Sequence, residues 1–196
     1  MHEFRLVSLG SATWLAALLV LAGAAFAQTQ PSPDVPATGT FGRWTTIVDI
    51  QDTGQDARKT CAASTAFVDP VGNPGTLTLA ISNGDALPPD AYPAVTIAVA
   101  NKDLPMGKKI TATFGDTGGQ VSATVYSDNA VAGRLGWTVV NQAKTSLALL
   151  RAMRRASALD VVFGKQPVAS ISMDGFSKAY RNLGASCGFA TADVAP

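Results

Sequence analysis

The sequence predicts a mainly β domain, an antiparallel β-sandwich or barrel-like fold with two short α-helices in its C-terminal half and one disulfide closing it. Three observations support this prediction. Short stretches of alternating apolar and polar residues recur between turn-forming sequences, two stretches near the C-terminus have helical periodicity, and the chain contains 2 cysteines.

The first 27 residues have the pattern of a secretory signal peptide. Arg5 supplies a basic start, an apolar run extends over 13–22, and Ala25–Ala27 is a small-x-small cleavage sequence. The apolar run is too short to span a membrane. We therefore expect cleavage near Ala27 and no transmembrane segment after cleavage. The mature protein is expected in the periplasm, or else secreted or located at the outer surface.

The predicted mature chain has room for one domain. Removing 27 of the 196 residues leaves 169, a length that typically forms a single core. Residues 28–40 are rich in Pro, Ser and Thr without apolar periodicity, which predicts a disordered spacer. The folded domain is expected over 41–190, with 191–196 as a short tail.

Period-two patterns predict the strands, because alternate side chains of a strand point to opposite faces. In the clearest case Leu77, Leu79 and Ile81 share one face. The clear alternations lie at 76–81, 94–100 and 121–126, and the weaker candidates at 44–49, 60–68, 109–114, 136–140, 160–163 and 168–173. Sequences rich in Gly, Pro, Asn and Asp separate these stretches and predict turns.

Two stretches predict helices. In 142–157 the residues Ser146, Leu149, Leu150 and Met153 fall on one side, and basic residues fall on the flank or opposite side. In the second stretch Phe176, Ala179, Tyr180 and Leu183 occur at i, i+3, i+4 and i+7.

The ends of the second helix are also predicted from residue type. Asp174 is the expected N-cap, and Gly184 is expected to end the helix in the left-handed conformation. Cys187 is then expected just beyond the helix end.

The charge and histidine content exclude several classes of function. His2 is the only histidine and lies in the predicted signal peptide. Catalysis by Ser-His-Asp or Cys-His groups and zinc sites with histidine are therefore excluded from the mature chain, and no metal or cofactor is predicted. The net charge is +1, so nucleic acid is not an expected partner, since binding phosphates requires an excess of cations.

The two cysteines, Cys61 and Cys187, remain in the mature chain. In an oxidising compartment an even number of cysteines predicts a disulfide, which would close most of the domain into one loop. The alternative is a pair of redox-active thiols. Such thiols usually lie in a C-x-x-C motif, and these positions are far apart in the sequence.

Two sequence patterns resemble catalytic motifs. Residues 184–188 read G-A-S-C-G, but a nucleophile elbow needs a strand before the serine and a histidine after it. Asp52 and Asp116 each begin an Asp-Thr-Gly tripeptide, like the paired carboxylates of aspartic proteases. Hairpin turns explain both tripeptides, and a small aspartic-type hydrolase using these two carboxylates is the alternative function.

A basic helix side and two tryptophans are the candidate binding features. Lys144, Arg151, Arg154 and Arg155 would meet anionic lipid or lipopolysaccharide head groups, or simply form the solvated side of the helix. Trp44 and Trp137 would stack on a ligand, or fill the core as tryptophans in strands usually do.

Motifs at both ends of the predicted domain resemble a known family. Residues 41–45 read FGRWT, Lys59–Cys61 follows with Ser64 close behind, and 171–176 read ISMDGF before Ala179, Tyr180 and Cys187. This order resembles the invasion-associated locus B family, small exported proteins of Gram-negative α-proteobacteria. The resembling structural motif residues are Phe41, Gly42, Trp44, Gly175, Phe176 and Ala179.

The resemblance implies a β-rich periplasmic or envelope protein without catalytic residues. This chain departs from the family pattern in having only two mature cysteines and in placing Met173 where leucine is usual, and its middle part, 68–141, matches loosely. We therefore expect a non-catalytic module that binds another protein or an envelope component. A periplasmic chaperone or inhibitor is a related alternative.

Overall fold

The computed structural model describes residues 38–52, 54–100, 107–116, 118–131 and 134–196. The predicted signal peptide and residues 28–37 of the predicted spacer lie outside them. In chain order the elements are β1 (Thr38–Phe41), β2 (Trp44–Asp52), β3 (Ala57–Val68), β4 (Pro74–Ser82), β5 (Ala94–Val99), β6 (Lys109–Asp116), β7 (Gly119–Val131), β8 (Arg134–Val139), α1 (Ala143–Arg155), β9 (Ala158–Phe163), β10 (Gln166–Ser172) and α2 (Phe176–Cys187).

The strands form one antiparallel sheet in the order β1-β2-β3-β4-β5-β8-β7-β6-β9-β10. Strand β10 lies beside β3, so the sheet curls back on itself. The eight strands from β3 to β10 thus surround a core, and the β1–β2 hairpin extends from β3 outside this closure. The predicted antiparallel, barrel-like fold with two C-terminal helices is confirmed.

Alternating burial along the strands builds the core, as the period-two pattern predicted. In β4 the side chains of Leu77, Leu79 and Ile81 are buried, and Thr78 and Ala80 between them are half-buried. Burying each such side chain contributes about 1.5–3 kcal/mol. Trp44 and Trp137 are both completely buried, so both tryptophans belong to the core.

Strand β1 corrects the predicted spacer boundary. Thr38–Thr40 were assigned to the spacer, but they form a strand whose register runs from Thr38 opposite Ile47 to Phe41 opposite Trp44. Their sequence has no apolar alternation. The pairing depends on backbone hydrogen bonding to the edge of β2, which a side-chain pattern does not reveal.

Helix α1 follows the prediction closely. Ser146, Leu149, Leu150 and Met153 are buried, and the helix packs against β6, β7 and β9. Its apolar stripe therefore covers one part of the sheet and leaves the opposite side of the helix exposed.

Helix α2 differs from its prediction at both ends. Gly175, in the left-handed conformation, precedes the helix instead of Asp174, and the helix continues through Gly184 to Cys187. Gly188, at φ +75°, provides the left-handed end. Gly184 is a glycine for a packing reason, since a Cβ there would lie 2.8 Å from the Phe189 carbonyl oxygen.

Residues 191–196, which were predicted as a short tail beyond the domain, contribute to its core. Val194 and Ala195 are buried in the core cluster together with Phe189. The backbone turns at Thr191, whose carbonyl oxygen accepts hydrogen bonds from both Val194 and Ala195. The local sequence is too short to carry a periodic signal, so only the tertiary packing reveals this contribution.

Candidate functional site

The two ends of the domain meet where the β1–β2 turn contacts the turn before α2. The Arg43 backbone N–H donates a hydrogen bond of 3.0 Å to the Asp174 carbonyl oxygen. Gly175 has φ +89°, and a Cβ at this position would overlap the Phe41 carbonyl group. The close approach and the left-handed backbone both require glycine here.

Aromatic packing continues from this contact into the core. The rings of Trp44 and Phe176 meet edge-to-face with centroids 5.3 Å apart, and Phe176 stacks on Tyr180 at 5.8 Å. Ala179 is completely buried beside them. The structure therefore brings the motif residues of both chain ends into one packed cluster, where each has a structural contact.

A disulfide fixes the other end of α2 to the sheet. Cys61 on β3 and Cys187 in the last turn of α2 are bonded, with their Cα atoms 6.1 Å apart. Thr46 on β2 also donates a hydrogen bond of 2.8 Å to the Asn182 side-chain oxygen. Helix α2 is thus attached to β2 and β3 through a covalent bond, a polar contact and aromatic packing.

Ser186 lies within α2 and does not occupy a nucleophile elbow. An elbow places the serine between a strand and a following helix, whereas here the helix precedes it and ends at Cys187. Its side chain is 8% exposed, and its hydroxyl oxygen has no hydrogen-bond partner. The G-x-S-x-G pattern is therefore explained by the helix end.

In both Asp-Thr-Gly tripeptides the aspartate contacts the glycine two residues later. The Asp52 carboxylate accepts a hydrogen bond of 2.7 Å from the Gly54 N–H, and Asp116 accepts one of 2.8 Å from Gly118. These contacts lie at the ends of the β2–β3 and β6–β7 hairpins. Each carboxylate is hydrogen-bonded within its own turn, as expected for Asp in this position.

Among the residues that the structure describes, no three His, Cys, Asp or Glu side chains are grouped so that they could hold a metal ion. The remaining candidates for binding are the charged surface of the helices and the hollows of the surface.

The four predicted basic residues of α1 are all exposed. Lys144, Arg151 and Arg155 fall within about 40° of one another around the helix axis and span about 16 Å along it. Arg154 lies to one side of this row. The helix contains no acidic residue, so its exposed side has a single sign of charge.

Helix α2 adds two exposed cations, Lys178 and Arg181, which the sequence reasoning missed. The two helices touch each other. Although the whole chain has 15 Lys and Arg against 14 Asp and Glu, neither helix contains an acidic residue. The absence of acidic residues from both helical stretches is the feature of the sequence that could have predicted this surface. The basic helix surface consists of Lys144, Arg151, Arg154, Arg155, Lys178 and Arg181.

Two arginines of this surface hold the C-terminal residues. Arg151 donates through Nε to the Asp193 carbonyl oxygen at 2.8 Å, and Arg181 donates to the Pro196 carbonyl oxygen at 2.7 Å. The Tyr92 hydroxyl donates to the Asp193 carboxylate. Burial, followed by this hydrogen bond and the Asp193 charge, raises the pKa of Tyr92 to about 12.

Arg151 is exposed, but its side chain is already hydrogen-bonded to the Asp193 carbonyl oxygen. Within the described part of the chain, the side chains of Lys144, Arg154 and Arg155 have no hydrogen-bond or ion-pair partner. These three cations are available to an external anion.

No family model matches the chain, and no curated protein matches it. Among solved structures, the chain is similar to the crystal structure of invasion associated protein B from Bartonella henselae, with a TM-score of 0.50 and 18% sequence identity. The two proteins share a fold. The similarity covers 76% of this chain and 97% of the Bartonella chain. At this identity the relation extends to the fold alone.

No helix in the described ranges is long and apolar enough to cross a membrane.

Proposed function

We propose that the protein is an exported, non-catalytic interaction module of the invasion-associated locus B type, located in the periplasm or at the outer surface. The fold shared with invasion associated protein B supports this proposal, as do the signal-peptide pattern and the motifs at both ends of the domain. The turn contacts of Asp52 and Asp116 favour it over an aspartic-type hydrolase.

The proposed partner is the phosphate-bearing head groups of the bacterial envelope, carried by anionic lipid or lipopolysaccharide. The observation that supports this choice is the basic helix surface, with six exposed cations and no acidic residue in either helix. A cation near an anionic membrane surface contributes about 1 kcal/mol. The three cations of α1 without partners would therefore contribute about 3 kcal/mol, a weak attraction that depends on salt.

Vesicle sedimentation tests this proposal with the mature protein, residues 28–196. The vesicles contain phosphatidylcholine alone, phosphatidylcholine with phosphatidylglycerol, or phosphatidylcholine with lipopolysaccharide. We expect binding only to the anionic vesicles, and weaker binding as salt is raised because screening shortens the range of the interaction. The comparison of the two anionic compositions identifies which head group is preferred.

The decisive variant is the triple charge reversal Lys144→Glu, Arg154→Glu and Arg155→Glu, which leaves Arg151 and Arg181 in contact with residues 193–196. The matched control reverses three exposed lysines outside the helices, Lys108, Lys109 and Lys165. We expect the helix variant to lose at least about tenfold in affinity, which corresponds to about 1.4 kcal/mol, and the control to lose much less. Equal losses, or no binding to either anionic vesicle, would refute the proposed partner.

A further inference from the structure

The closure between β3 and β10 is a seam between two unpaired strand edges. Strand β10 is the last strand in the hydrogen-bonded order and pairs only with β9. Strand β3 pairs with β2 only up to Thr65, opposite Trp44, whereas its pairing with β4 continues to Val68. Residues 66–68 of β3 therefore have a free backbone edge on the side that faces β10.

The backbone of β10 presents its own hydrogen-bonding groups to the same gap. The Met173 N–H donates a hydrogen bond of 3.0 Å to the Ser157 carbonyl oxygen, on the β9 side. Because backbone groups alternate in direction along a strand, those of Ser172 and Ser170 point the other way, toward β3. No backbone hydrogen bond joins β3 to β10 in the described residues.

A hollow of about 360 Å³ lies along this seam and is lined by Arg43, Ala66, Phe67, Val68, Ser170 and Ser172. Arg43 is exposed at the β1–β2 turn. Its backbone N–H is bound to Asp174, but among the described residues its guanidinium has no ionic partner. The hollow thus combines unpaired backbone groups, two serines and one uncompensated cation.

A hydrogen-bonded turn over residues 69–73 follows Val68 at the end of the seam. Asp69 is 5% exposed, and its carboxylate accepts hydrogen bonds from the Val71 and Asn73 backbones and from the Asn73 side chain. Burial raises the pKa of this carboxyl, but these hydrogen bonds outweigh it and leave the pKa below its usual value. Val68, which lines the hollow, is 62% exposed, and Val71 within the turn is 77% exposed.

We propose that the seam binds an extended peptide segment of a partner protein, which lies in the hollow over β3 and β10 and places an acidic side chain against Arg43. The hydroxyls and unpaired backbone groups of Ser170 and Ser172 can hydrogen-bond the backbone of such a segment and give affinity, and Arg43 and the exposed valines give specificity for its side chains. Residues 66–68 span about 10 Å, the length of about three residues of an extended peptide. The exposed valines favour apolar, β-branched residues beside the acidic one.

The seam is distinct from the basic helix surface, because none of its lining residues belongs to α1 or α2. Arg43→Glu is therefore expected to leave vesicle binding unchanged. Conversely, the triple reversal on α1 is expected to leave peptide binding unchanged. The two proposals can thus fail independently.

A random heptapeptide library displayed on phage tests the proposal on the immobilised mature protein. Clones that also bind the Ser170→Tyr variant, in which the seam is filled, are removed. We expect the enriched sequences to contain Asp or Glu next to Val, Ile or Thr. If no sequence distinguishes wild type from Ser170→Tyr, the proposal is wrong. Ala66→Tyr fills the seam from β3 and replaces Ser170→Tyr if that variant does not fold.

An enriched peptide is then measured by fluorescence anisotropy. We expect Arg43→Glu to weaken its binding by at least about tenfold, and the matched reversal Arg58→Glu, at an exposed position elsewhere on β3, to leave it unchanged. Peptide addition should also slow amide exchange at Ser170 and Ser172 but not in α1. The assignment would be overturned if Arg43→Glu left the peptide affinity unchanged, or if the peptide slowed amide exchange only at other residues.

Discussion

Helices α1 and α2 are both amphipathic and pack on the same sheet, but they are held in different ways. Helix α2 lies between two left-handed glycines, Gly175 and Gly188, and is fixed by the Cys61–Cys187 disulfide. Helix α1 has no side-chain hydrogen bond at its N-cap, Gln142. It is held mainly by its apolar stripe against β6, β7 and β9.

The difference separates the residues that hold α2 in place from the residues of the proposed binding surface. Several contacts of α2 involve residues that resemble the invasion-associated locus B motifs: Trp44, Phe176 and Ala179 are buried in the core, and Gly175 contacts the turn after β1. The exposed side of α1 carries three cations without partners. The resemblance in sequence thus identifies what fixes the fold, whereas the proposed binding surface lies largely on the helix that the family motifs do not include.

The largest effect is expected from removing the disulfide with the double substitution Cys61→Ala and Cys187→Ala, which leaves no lone thiol. The bonded cysteines are separated by 126 positions, and the loop-entropy model gives about 4–5 kcal/mol for a closure of this size. Urea unfolding measures the free energy. A loss below about 1 kcal/mol would mean that α2 is held by packing alone.

Phe176→Ala tests the aromatic attachment of α2. The side chain is 1% exposed and contacts Trp44 and Tyr180, so the substitution should cost about 3–5 kcal/mol in the free energy of unfolding. Phe176→Leu keeps most of the apolar volume and serves as the control, with a smaller loss. Equal losses for the two variants would show that the edge-to-face geometry matters more than the buried volume.

Gly175→Ala tests the contact between the two turns, with Gly84→Ala as its matched control. Their φ values are +89° and +90°, but a Cβ has open space at Gly84 and overlaps the Phe41 carbonyl at Gly175. The left-handed conformation costs each alanine about 1–2 kcal/mol. We expect a further loss only for Gly175→Ala, measured by urea unfolding. Identical losses would contradict the close approach of the two turns.

The smallest effect is expected at the start of α1. Gln142 has an extended backbone and makes no capping hydrogen bond, so Gln142→Ser should stabilise the protein by about 0.5–1 kcal/mol. Thermal unfolding, with Gln142→Ala as the control, measures this gain. If serine gives no gain over alanine, the backbone N–H groups in the first turn of α1 already have other hydrogen-bond partners. The two helices would then differ less in how they are held.

Local periodicity accounts for the parts of the fold that the sequence predicted. The alternation in β4 and the i, i+3, i+4 stripes of both helices indicate which side each element buries, because burial follows the geometry of a single element. The pairing of Cys61 with Cys187 was predicted from their number and from the signal-peptide pattern, which indicates an oxidising compartment. The periodic patterns can be read from neighbouring residues, and the disulfide from the number of cysteines in the chain.

What only the tertiary structure decided depends on contacts between distant segments. Residues 38–40 become a strand because β2 offers a free edge, and Val194 and Ala195 are buried because α1 and α2 hold the residues around them. The seam exists because β10 closes beside β3 without pairing to it. No short-range pattern encodes these arrangements, since each partner lies far away in the sequence and gains its contact only when the chain has folded.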